Sequence, residues 1–165
     1  VDVNRERVQL WVEALESGEF EQGSGQLQIR LSLNDKGETT DKATYCCLGV
    51  AIEVALRNGY TPQLVQGIVN PYMESYEHLN TALWPGVVAW YGFEKTEQDP
   101  YIGIWHNDDG EYRTKNPGDT FEWESLSASD ANDEHHLNFQ QIAAGLRAKY
   151  LGEDITFPDG EGDRR

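Results

Sequence analysis

The chain has 165 residues, 38% of them hydrophobic and 25% charged, and its 29 acidic against 13 basic side chains leave a formal net charge of −16. A chain of this length buries roughly two-thirds of its unfolded surface, so one domain stands without a disulfide or metal staple. The apolar content excludes global disorder. A field of this sign repels nucleic-acid backbones and anionic membrane surfaces, so neither is an expected direct partner.

The acidic excess has three readings: a solubility surface, a mimic of nucleic-acid charge, or adaptation to salt. The two cysteines, Cys46 and Cys47, are adjacent. Neighbouring side chains diverge and rarely bridge, so free thiols and a cytoplasmic setting are expected. No run approaches membrane-spanning length, and no charged-then-apolar leader pattern opens the sequence.

In chain order, Val8, Trp11, Val12 and Leu15 share one face of a helix predicted over 5–17, with Asn4 as N-cap and Gly18 past its end. Leu27, Ile29, Leu31 and Leu33 alternate with polar residues, the pattern of one half-buried strand. Ala43-Thr44-Tyr45 reads as a brief strand. The run Tyr45–Leu56, closed by Gly59, is the most apolar of the chain and reads as a buried central helix. A short strand is predicted over 64–69, while 72–83 has no clear pattern.

Leu83–Gly92 reads as a short helix with Pro85 in its first turn and Gly92 after its last. Tyr101–His106 and Glu111–Thr114 flank Asp109-Gly110, a strong hairpin signal, and Thr120–Glu124 is a further strand candidate. Ser127–His136 reads as a loop with one helical turn. Asn138 and Gln141 form a capping box for a final helix carrying Phe139, Ile142, Ala143, Leu146 and Tyr150. The order gives an α+β class: a single domain over 1–151, with an antiparallel sheet, about four helices and a central Cys-Cys helix. Residues 152–165 read as a mobile tail.

Several segments are candidates for chemistry. Gln22-Gly23-Ser24-Gly25 presents backbone amides in a turn able to hold an anion, and Arg30 on the following strand adds a cation. Trp105 and Tyr112 flank the Asp-Gly turn and offer faces for stacking. His106 beside Asp108 and Asp109, and His135-His136 after Asp130, Asp133 and Glu134, suit an acid–base pair or a divalent metal less well than an ordinary acidic surface. The adjacent thiols lack the spacing of a zinc site and read as packing residues. No catalytic residue, metal or cofactor is assigned.

The stretch Gly18-Glu19-Phe20-Glu21-Gln22-Gly23-Ser24-Gly25-Gln26-Leu27, followed by Tyr45-Cys46-Cys47-Leu48-Gly49-Val50, resembles a family of small proteins encoded by tailed bacteriophages and some bacteria. Leu83–Gly92 is similar to that family's Leu-Pro helix with a late Trp. Asn132-Asp133 with Phe139-Gln140-Gln141-Ile142-Ala143 is similar to its last helix start. The resemblance implies a phage origin and a shared fold, without a mechanism. Ala51-Ile52 stand where a third cysteine often falls, and 101–125 is longer than the pattern.

These readings combine into an expectation of a non-catalytic accessory or counter-defence binding protein in the host cytosol. Its expected ligand is a small nucleotide-like signal held by Gln22–Gly25, Arg30, Trp105 and Tyr112. A host protein as partner and a homo-oligomer are alternatives to be tested. The rival functions are an acidic nucleic-acid mimic that blocks a host DNA- or RNA-binding protein, and a small hydrolase using His106 or His135/His136.

Overall fold

The computed structural model describes residues 2–29, 32–33, 36, 39–40, 43–65, 71–107 and 121–153; the side chains of 32–33, 39–40, 104–107 and 121–124 are outside that description. Helix α1 (Arg5–Glu16) starts where Asn4 accepts a hydrogen bond from the Arg7 amide, and it buries Val8, Trp11, Val12 and Leu15. Strand β1 (Glu21–Gln22) lies parallel to β5 (Thr44–Tyr45), and β2 (Gln28–Ile29) lies antiparallel on the other side of β5. Strands β3 (Ser32–Leu33) and β4 (Thr39–Thr40) form a separate antiparallel pair. The single strand expected from the 27–33 alternation is therefore two short pieces with different partners, and residues 30–31 between them are outside the description.

Helix α2 (Cys47–Arg57) is the central element, with Cys47 to Ile52, Val54 and Ala55 all buried. Tyr45 belongs to the strand before it, and Cys46 is its N-cap. Trp11 donates its indole N–H to the Cys47 carbonyl at 3.0 Å, and Tyr91 donates its hydroxyl to the Ala51 carbonyl at 2.7 Å. Two neighbouring helices are thereby fixed to α2 by polar tips on otherwise apolar rings. Gly49 lets the backbone of Leu27 lie directly against α2, since an added Cβ would stand 2.7 Å from the Leu27 carbonyl carbon.

Beyond α2, β6 (Leu64–Val65) pairs antiparallel with β7 (Tyr72–Met73); the remainder of the strand expected to 69 is outside the description. Helix α3 (Pro85–Tyr91) has Pro85 in its first turn and ends on Gly92 in the left-handed region. Strand β8 (Tyr101–Asn107) pairs along its whole length with β9 (Phe121–Ser127), Trp105 opposite Trp123. The predicted partner 111–114 and the Asp109-Gly110 turn are outside the description.

Helix α4 (Ala128–Asp133) replaces most of the loop expected there: Ser127 caps it, and Ala128, Ala131 and Asn132 turn inward. Helix α5 (Phe139–Leu146) has both hydrogen bonds of the Asn138/Gln141 capping box and continues as a π-helical turn over Arg147–Leu151. The predicted tail beyond 153 is outside the description. The class is α+β, with five α-helices among the described residues and pairing divided among four small sheets. No helix among the described residues is long and apolar enough to cross a membrane.

Candidate functional site

The Gln22–Gly25 turn is joined to the start of α2 through Asn132, which is wholly buried. The Asn132 Oδ1 accepts from Gln22 Nε2 at 2.9 Å and from the Cys47 amide at 3.2 Å, and its Nδ2 donates to the Gly23 carbonyl at 2.9 Å. Gln22 Nε2 also donates to the Leu137 carbonyl at 2.9 Å, and the Gly23 amide donates to Tyr45 at 2.7 Å. Two of the groups expected to face a ligand are thus spent inside the protein. Ser24 and Gly25 remain exposed, with Gly25 at φ +83°. Arg30, Tyr112 and the Trp105 side chain lie outside the description, so no convergence of these residues on the turn is described.

Cys46 is 5% exposed and Cys47 is wholly buried, with the Cys47 thiol donating to the Ala128 carbonyl at 3.2 Å. Burial pushes the Cys46 thiol up to about 11, against the opposing pull of the Gly49 and Leu48 amides; burial likewise drives Cys47 well above its ordinary value. Both are packing residues whose thiolate is disfavoured. At pH 8 a thiol-selective disulfide reagent should label neither cysteine in the folded protein and both in denaturant; rapid native labelling of one equivalent would contradict this burial.

His135 and His136 are exposed, whereas Asn132, from the same polar cluster, points into the core. Among the described residues no three His, Cys, Asp or Glu side chains gather to hold a metal.

An open cleft among the described residues lies elsewhere. It has a volume of about 300 Å³ and runs between the β6–β7 hairpin and the segment leading into α3. That is the lower end of the range for small-ligand sites, roughly 300–1,000 Å³. Tyr72 and His78 form part of its wall as a stacked pair, with centroids 5.0 Å apart and planes at 25°. His78 is oriented by Ser75, whose hydroxyl lies 2.8 Å from Nδ1.

Two carboxylates, one buried and one half-buried, fix the walls. Glu74, 3% exposed, accepts a short hydrogen bond from the Tyr60 hydroxyl and a 3.1 Å bond from the Gly86 amide, tying the end of β7 to the start of α3. Glu53 accepts from the Tyr76 hydroxyl at 2.8 Å, and Tyr76 packs on Trp84 with centroids 5.2 Å apart. Burial first, and then the facing carboxylates, hold both phenols far above their ordinary range. These phenols therefore remain neutral donors.

Two backbone bonds frame the cleft: Leu27 N–H to the Asn80 carbonyl, and Leu83 N–H to the Gln98 carbonyl, both 2.8 Å. The first places the wall beside the end of the Gln22–Gly25 turn. None of these cleft residues was singled out from the sequence as a ligand-binding residue, although Leu83 and Pro85 were placed at the start of a helix. The signal that could have found them is an absence: 58–73 and 78–93 contain no Lys, Arg, Asp or Glu, in a chain that is 25% charged.

Residues 3–150 match the model of a family described as a domain of unknown function, DUF8296. The chain belongs to this family. No curated protein and no solved structure matches it. The matched span of this DUF8296 protein includes the Asn132 network, both thiols and all of the cleft.

Proposed function

We propose that this protein is a non-catalytic binding domain whose ligand is a small heteroaromatic molecule of the nucleoside or nucleotide class. The ligand sits in the cleft beside Tyr72 and His78 rather than in the Gln22–Gly25 turn. The observation that carries this reading is the Tyr72–His78 stack in the wall of a cleft lined, among the described residues, without Cys, Asp or Glu. Such a lining supplies recognition surface but no carboxylate to pair with a histidine for acid–base work. A phage accessory or counter-defence role in the host cytosol, by sequestering such a signal, accords with the motif resemblance.

A thermal-shift screen against nucleosides, nucleotides and cyclic dinucleotides tests the proposal. A ligand at about 100 times its Kd adds about 2.7 kcal/mol, or roughly 5–10 °C in Tm for a domain of this size. Tyr72→Ala should abolish the shift, and Tyr72→Phe, which keeps the ring, should retain it. A panel that moves Tm nowhere, or a shift unchanged in Tyr72→Ala, would overturn the reading.

A further inference from the structure

Resting on that reading, we infer that the cleft recognises the ring and excludes phosphate, so that an uncharged nucleoside or free base binds in preference to its 5′-phosphates. Of the ten described residues that line it, none is Lys, Arg, Asp or Glu. Residues 66–70, which join its two strands in sequence, are Gln, Gly, Ile, Val and Asn and add no charge.

The described arginines are engaged elsewhere. Arg5 reaches the Leu151 carbonyl, Arg7 lies over Trp90, Arg57 pairs with Glu19, and Arg147 pairs with Glu16 and Glu153. A phosphate entering the cleft would shed water with no Lys or Arg among the described lining residues to replace it, and His78 is the one described lining side chain able to carry positive charge. It would also enter the field of a chain with net charge −16, a repulsion that acts over about 8–10 Å at ordinary salt.

What the cleft does offer suits a neutral ring. Asn80 and Gln98 line it, and the side-chain amide of neither has a hydrogen-bond partner among the described residues. Each carries donors and an acceptor, the mixture that the edge of a base presents in return. The Thr81 hydroxyl adds one more group of both kinds. Tyr72 and His78 supply stacked aromatic ring surface.

The test is a calorimetric titration of the full chain with adenosine, guanosine, cytidine and uridine, each beside its 5′-monophosphate, at low and moderate salt. At least one nucleoside should bind, with its monophosphate tenfold or more weaker and the gap narrowing as salt rises. A monophosphate that binds as tightly as its nucleoside, or more tightly, overturns the inference while leaving a ligand-binding cleft in place. Binding by no member of the panel, together with no Tm shift, removes the binding reading itself. Thr81→Lys, at an exposed position of the wall, should close the gap by restoring a cation; an unchanged ratio would overturn charge as the cause.

Discussion

Gly49→Ala is expected to destabilise the fold by about 3 kcal/mol, at the upper end of the usual cost of overpacking. The sign is the informative part, because alanine is the better helix former by about 1 kcal/mol and the change would stabilise an open helix position. Here the new methyl would overlap the Leu27 carbonyl oxygen and stand 2.7 Å from its carbon. Leu27 cannot easily retreat: its side chain is wholly buried and its amide is bonded to the Asn80 carbonyl at 2.8 Å. Urea denaturation measures the effect, and an unchanged or raised midpoint would contradict the close approach of this segment to α2. Because Asn80 lines the cleft, the strain is also expected to weaken ligand binding.

Asn132→Ala should cost about 3–5 kcal/mol, a large part of the 5–15 kcal/mol that typically separates folded from unfolded domains. The substitution leaves the Cys47 amide at the start of α2 without its Asn132 acceptor, and removes the donor to the Gly23 carbonyl. Each buried group stripped of its partner costs about 1–3 kcal/mol. The Gln22 amide loses one of its two acceptors as well. A fall in stability below about 1 kcal/mol, measured by the same denaturation, would mean that water or a neighbour replaces these bonds and that Asn132 is not the junction of turn, α2 and α4.

Much of the helical framework was legible because its signals are local. The Val8–Leu15 face of α1, the Pro85 start and Gly92 end of α3, and the Asn138/Gln141 box each lie within a few residues of the element they define. The burial of both thiols followed from the apolar run around them. Helix α4 was harder, since Ala128–Asp133 has no apolar period. It is held partly from a distance, by Asp99 accepting from the Ser129 amide at 2.9 Å and from the Ser129 hydroxyl.

Pairing was the least legible level. The alternation around 27–33 marks extended chain, yet β2 and β3 take different partners that only the three-dimensional arrangement selects. The Asp-Gly pair points to 111–114, which lie outside the description, while the described partner of β8 is Phe121–Ser127, of which only 121–124 was read as part of a further strand. In the Gln22–Gly25 turn, sequence suggested a cradle of free amides. It could not reveal that Asn132, more than a hundred residues later, draws on the same groups. The cleft escaped notice for a related reason: its walls come from separate segments, and their shared mark is missing charge rather than a motif.

The most direct test of the proposed ligand site is a map of amide chemical shifts in the isotopically labelled full chain, titrated with the tightest-binding nucleoside. Progressive, saturable shifts at Tyr72, His78, Thr81, Leu83 and Gln98, with the Trp84 indole moving alongside, are the predicted result. Shifts gathered instead at Ser24 and Gly25, with the cleft amides still, would contradict the account and return the site to the turn.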